Sequence, residues 1–303
     1  LNALGARSGS GATLRLSDPL LLAFTDRNLR MLADGTIRLE GGGFPSATLL
    51  LDDGSLSRGF SGRLEMANYQ AGSAQLKIPA LAFSPTRQGG TNIDGRIILT
   101  GPLGDGQITG LQVPVSGYVG RNGNFALFRQ CIDLKFASLR TASLSAGPTS
   151  ARLCPQGSAI VSGSGAIVNV AANAPSLRLN GRVGSTPLAI SSGALGYSRA
   201  KGLTAQNVGI RLGTPGSMTQ LDMAVLSAGF GRTINGRIEG ASGQVANVPL
   251  LMEKIEGEWR YDDGQFLADA SLLVRDAQPV ERFRPMVSDD VQLRFDGTDI
   301  AAT

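Results

Sequence analysis

Apolar and polar residues alternate with a period of two along almost the whole chain. The pattern is clean at Thr36-Ile37-Arg38-Leu39-Glu40, Arg63-Leu64-Glu65-Met66, Gln75-Leu76-Lys77-Ile78 and Arg96-Ile97-Ile98-Leu99. It returns at Ile132–Phe136, Leu177–Asn180, Val208–Leu212, Leu221–Met223, Ile234–Ile238, Ile255–Tyr261 and Val291–Phe295. Alternation of this kind puts apolar side chains on one face of a strand and polar ones on the other. It predicts roughly fifteen strands of five to eight residues, joined into a largely antiparallel, meandering sheet. Ala33-Asp34-Gly35, Asp52-Asp53-Gly54, Arg121-Asn122-Gly123 and Asp262-Asp263-Gly264 read as the turns between them. Helical period is rare. Pro279–Val287 is expected to hold a short helix, and Leu20–Leu32 reads as either helix or strand.

Composition removes several functions. The 303 residues include no histidine, which excludes Ser-His-Asp and Cys-His catalysis and every His-ligated metal site. Two cysteines cannot build a four-thiolate zinc site, so no metal and no cofactor is expected. Aromatics are only 5%, too few for base-stacking platforms, and the +4 net charge is scattered without a basic stripe; no nucleic-acid partner is expected. The longest apolar run, Pro19-Leu20-Leu21-Leu22-Ala23-Phe24, is far short of a bilayer span. With no signal peptide at Leu1 and a strand close to the last residue, the chain reads as a segment of a longer protein. One continuous domain over 1–303 is expected, with a subdivision near 130–155 as the alternative.

The 41 glycines are about twice the usual share of about 7%. Four of them fall in a loose repeat, apolar-x-Gly-Arg-apolar, at Phe60–Leu64, Ile93–Ile97, Leu179–Val183 and Ile234–Ile238. Unequal intervals rule out a strict solenoid. Glycine there lets a neighbouring strand approach closely, and Arg63, Arg96, Arg182 and Arg237 sit on the wet face. Gly41-Gly42-Gly43-Phe44-Pro45 has no Lys-Ser/Thr behind it and is a tight bend rather than a phosphate loop.

One apolar face on every strand poses a packing problem. Two sheets can hide such faces in a sandwich or barrel; one long sheet can curl into a trough that stays apolar inside and takes an apolar ligand. The inward candidates are mostly Leu, Ile, Val, Met and Ala, with few of the rings that fill a closed core, which favours a smooth aliphatic lining. Acid pairs occur at Asp52/Asp53, Asp262/Asp263 and Asp289/Asp290, but nothing faces two carboxylates across a cleft as a glycosidase requires. Cys131 and Cys154 are 23 positions apart on neighbouring strands; they are either a disulfide or two buried thiols.

Gly41–Pro45, Val113-Pro114-Val115-Ser116-Gly117, Cys131 with Leu153-Cys154-Pro155, and Asn247-Val248-Pro249-Leu250-Leu251 occur in that order. They are followed by Gly257-Glu258-Trp259-Arg260, Leu273-Val274-Arg275-Asp276-Ala277, Arg282-Phe283-Arg284-Pro285 and Leu293–Ala301. Together these resemble the interior of a YdbH-type protein of the AsmA-like superfamily, which also includes TamB. The resemblance implies an elongated, curved, open hydrophobic groove with few short helices. It implies intermembrane phospholipid transport across the periplasm of Gram-negative bacteria, with no enzyme activity. It implies an inner-membrane anchor before this segment and an outer-membrane lipoprotein as a partner. Both open sheet edges would pair with the rest of the same chain. In that compartment Cys131 and Cys154 are joined.

The lining expected from strand parity is Ile37, Leu39, Leu64, Met66, Leu76, Ile78, Ile97, Leu99, Leu177, Leu179, Ile210, Leu212, Ile234, Ile238, Trp259, Phe266, Leu293 and Phe295. Trp259 with Tyr261 alternatively plugs an end of the groove. The competing expectation is a structural or adhesive extracytoplasmic protein with a closed, dry core.

Overall fold

The computed structural model describes residues 13–17, 20–25, 28–33, 35–41, 44–55, 59–87, 89–120, 122–141, 144–231, 233–262, 265–280, 282–295 and 300–302. The expected turn residues Asp34, Gly42, Gly43, Arg121, Asp263 and Gly264, and 296–299 of the final motif, lie outside the described residues. Among the described residues there are strands and no helix.

The first strands are β1 (Thr13–Ser17), β2 (Leu20–Thr25), β3 (Asn28–Ala33), β4 (Gly35–Glu40), β5 (Ala47–Ser55), β6 (Gly59–Ala71), β7 (Ala74–Pro85), β8 (Thr91–Leu103) and β9 (Gly106–Val119). Shorter ones follow: β10 (Asn124–Leu127), β11 (Ile132–Phe136), β12 (Ser138–Arg140), β13 (Leu144–Ala146), β14 (Thr149–Pro155), β15 (Val161–Ser164) and β16 (Ile167–Ala174). The rest are β17 (Leu177–Val183), β18 (Thr186–Ser192), β19 (Leu195–Ser198), β20 (Gly202–Thr214), β21 (Ser217–Phe230), β22 (Ile234–Gln244), β23 (Leu250–Asp262), β24 (Gln265–Asp276), β25 (Met286–Phe295) and β26 (Ile300–Ala302).

The chain folds as two compact units. Unit 1 is Leu1–Leu139 with Cys154–Val170, and unit 2 is Arg140–Leu153 with Ala171–Thr303. Each is built on an antiparallel meander: β4 to β9 in unit 1, and β20 to β26 in unit 2, pair strand to next strand in chain order.

Two expectations are corrected. Pro279–Val287 is not a helix: its described residues run irregularly to Pro285, and β25 opens at Met286. Pro285, inside that stretch, lacks the N–H of a helical hydrogen bond and clashes with the preceding turn. The ambiguous Leu20–Leu32 is the hairpin β2–β3. Asp52-Asp53-Gly54 is not a turn either; it lies inside β5, at a register shift between Leu51 and Asp53.

The strands of the meanders are also longer than the five to eight residues expected. β6, β8, β20 and β23 have 13 residues each, and β9 and β21 have 14. Reversals of inward parity within a strand explain the difference. In β20 the inward positions are Leu203 and Ala205 on one side of Asn207, then Val208, Ile210 and Leu212 on the other. The inward parity changes from odd to even at Asn207, whose φ is 50°. β22 changes at Gly240 (φ 57°) and β23 at Lys254 (φ 54°). Such bulges add one residue to a strand, bend it and keep its apolar side on the same face. A strict period-two reading breaks each such strand in two.

Candidate functional site

Cross-strand rows define the faces. In unit 1 Ile37, Leu49, Leu64, Leu81, Gly95 and Val115 stand side by side across six strands. The adjoining row of the opposite face is Thr36, Leu50, Arg63, Ala82, Asp94 and Ser116. In unit 2 one apolar row runs Leu179, Ile190, Ile210, Leu221, Gly243, Met252 and Val274. Another runs Tyr197, Leu203, Ala228, Gly236, Trp259, Ala268 and Leu293. Ala205, Val208, Met223 and Ala241 form a buried cluster between these rows, with Ile210, Leu221, Leu226, Ile238 and Ile255 packed against it.

The residues expected from parity fall on these faces. Ile37, Leu39, Leu64, Met66, Leu76, Ile78, Ile97 and Leu99 share the apolar face of unit 1. Leu177, Leu179, Ile210, Leu212, Ile234, Ile238, Trp259, Phe266 and Leu293 share that of unit 2. Met66 and Ile78 are buried, Leu293 is exposed, and the others are half-buried. Phe295 pairs with Phe266 through its backbone, and its side chain lies outside the description. Trp259 stacks on Phe266 with ring centroids 5.9 Å apart, and its indole N–H is covered without a hydrogen-bond partner. Tyr261 is exposed beside it.

Among the described residues most side chains of the apolar rows are half-buried rather than buried. Among the described residues no large side chain is fully buried. The chain exposes 19169 Å². A compact globule of its 31.4 kDa exposes roughly 12,000 Å², and two separate compact halves roughly 14,600 Å².

One part of the apolar face of unit 1 is hollow. Tyr69, Leu76, Leu99, Leu103, Ile108 and Leu111 are among the residues around a cavity of about 470 Å³. Parity identified Leu76 and Leu99. It missed Tyr69 and Ile108 because the shift between Met66 and Tyr69 in β6, and Gly110 at φ 63° in β9, reverse the alternation there. Leu111 lies in register with Leu99, beside that same irregularity.

The opposite faces are polar. Arg63, Arg96, Arg182 and Arg237 are all exposed, as expected of the wet side. Arg63 pairs with Glu65 at 2.9 Å, and the Arg211 guanidinium donates to both carboxylate oxygens of Asp222 at 2.7 and 2.9 Å. Exposed pairs like these contribute little to stability. The glycine of the repeat faces inward, against a neighbouring strand: Gly62 is opposite Phe83, Gly95 opposite Leu81, and Gly236 opposite Trp259.

Cys131 and Cys154 form a disulfide, and no other cysteine exists. Both cysteines belong to unit 1, and the bond closes a loop of 23 positions, which stabilises the fold by about 3 kcal/mol on the chain-entropy view. The bond fits an oxidising, extracytoplasmic compartment. Of the acid pairs, Asp52, Asp262, Asp289 and Asp290 are exposed, and among the described residues no three acids or cysteines gather as metal ligands.

Fold and site together define an all-β protein whose two units each carry an apolar sheet face that is mostly half-buried among the described residues. No family model, no curated protein and no solved structure matches this chain.

Proposed function

We propose that this protein carries phospholipid between the inner and outer membranes across the periplasm, with the acyl chains lying against the apolar faces of its units and the headgroups in water. The carrying observation is the uncovered apolar face with its hollow of about 470 Å³. Each acyl CH₂ moved from water to such a face gains about 0.8 kcal/mol. Moving from one aliphatic row to the next changes little, whereas escape into water is costly. Transfer of this kind makes and breaks no bonds, which accords with a chain without histidine. The disulfide supports a periplasmic location, and the motif resemblance supports anchoring through chain outside this segment. A structural protein with a closed, dry core accords less well with side chains that stay half-buried along most of the apolar rows.

Photo-crosslinking in cells tests the reading. A photoreactive residue at Ile97, on the apolar face, should capture labelled phospholipid; the same residue at Arg96, on the polar face, should not. Absence of label at both Ile97 and Leu179 would sink the proposal and leave the structural reading.

A further inference from the structure

The polar face of unit 2 is not uniformly mixed in charge. At one end of the meander, β22 begins, β23 ends, β24 begins and β25 ends side by side. There the row Asn235, Arg260, Leu267 and Arg294 contains two cations and no acid. The next row inward is Arg237, Glu258, Asp269 and Gln292. Both rows, with Lys201 beside them, line a hollow of about 970 Å³. Four cations and two acids therefore surround it. Arg237 spends part of its charge on Glu258, at 3.9 Å. Among the described residues Arg260, Arg294 and Lys201 form no ion pair.

Arg260 and Arg294 flank Leu267 from two strands apart, which places their backbones about 10 Å from each other. Two guanidinium forks at that separation can converge on one group held over the leucine between them. A guanidinium matches the oxygens of a phosphate in a two-point hydrogen bond, and such charge-assisted pairs are the strong ones. The excess of cations favours a ligand that brings negative charge, and the Asn235 amide adds a neutral donor at the end of the same row. We infer that this hollow on the polar face of unit 2 is a phosphate-binding site, with Arg260 and Arg294 as its principal ligands. The phosphate belongs either to a lipid headgroup or to a small free phosphate.

The inference does not rest on acyl chains meeting the apolar face, so its test can fail or succeed independently of crosslinking at Ile97. The full chain is titrated at low salt with inorganic phosphate and with glycerol phosphate, read by phosphorus NMR line broadening. It is also co-sedimented with phosphatidylcholine vesicles, with and without a quarter of phosphatidylglycerol. The double variant Arg260→Gln with Arg294→Gln should weaken binding about tenfold or more. The control Arg152→Gln with Arg178→Gln changes net charge equally at other exposed arginines and should leave binding unchanged. Matching circular dichroism spectra establish that both variants are folded. A loss with the small phosphates supports the site and assigns it to free phosphate. A loss confined to vesicles containing phosphatidylglycerol supports it and assigns the phosphate to a lipid. Equal binding by the two double variants in every arm overturns it.

Discussion

Gly236 shows what a single residue does in these sheets. A Cβ there would overlap the Ser227 carbonyl oxygen and come within 2.8 Å of the Trp259 ring. The glycine is the space into which the indole is laid, and the polar Arg237 next to it follows from alternation. Gly236→Val should therefore destabilise the protein by about 1–3 kcal/mol through overpacking. Gly147→Ala, with nothing within 4 Å of the added carbon, should change the denaturation midpoint little. Comparable losses in urea unfolding would contradict this account of the repeat. Asp276 is the other residue with a distinct physical role. Its covered carboxylate accepts from the Arg282 guanidinium at 2.6 and 2.9 Å and from the backbone N–H groups of Gln278 and Arg282, both at 2.9 Å. The Arg282 side chain, more than the backbone donors, holds its pKa well below the usual carboxylate range, against the opposing effect of burial. A depressed folded-state value stabilises the folded loop above the ordinary aspartate value near 4 and loses that stabilisation as pH falls further. In a carbon-detected carboxyl titration Asp276 should protonate well below the ordinary aspartate value near 4, and Arg282→Gln should raise its value. Titration of Asp276 at the ordinary aspartate value would refute the clamp.

At the scale of elements, reversals of inward parity, at Asn207 in β20 and at a bulge in β23, explain how strands of 13 residues keep one apolar side. Lys254 has φ 54°, a left-handed conformation that costs a side-chain-bearing residue about 1–2 kcal/mol. Lys254→Gly should therefore be neutral or stabilising by up to about 1 kcal/mol after its own entropy cost is included. Gly240→Val, which forces a branched residue to φ 57° and against Ala224, should be clearly destabilising. Urea midpoints check both; a loss of stability in Lys254→Gly would mean that its backbone conformation is not what the bulge requires. The same bulges limited what was legible beforehand. Strands such as Ile234–Ile238 and Ile255–Tyr261 were readable because each lies on one side of a bulge. Tyr69 and Ile108 were not, since the extra residue that turns them inward is defined only by pairing with the neighbouring strand. The helix expected at Pro279–Val287 failed for another reason: the Asp276–Arg282 clamp and the contact of Arg282 with the Pro249 carbonyl tie that segment to the loop before β23.

At the scale of the whole molecule, the two faces of a sheet should differ in function. Ile97 and Arg96 are adjacent in β8 and point to opposite sides, half-buried and exposed respectively. Ile97→Asp should abolish most phospholipid transfer between labelled donor and acceptor membranes, while Arg96→Asp should leave most of it, with thermal melts confirming that both variants fold. Equal effects would mean that transfer does not use the apolar face of unit 1. Alternation along the chain by itself determined that the protein is mostly strand, that the clearest strands are apolar on one side, and that the repeat arginines are wet. Those properties follow from neighbours one and two residues apart, within reach of the backbone's own geometry. Tertiary structure alone decided where parity reverses, which of Cys131 and Cys154's two open states obtains, that the hollow forms around Tyr69 and Leu111, and that Arg260 and Arg294 face one another across Leu267. Each of these depends on register between strands, which is set by hydrogen bonding and burial across the sheet rather than by the order of residues within a strand.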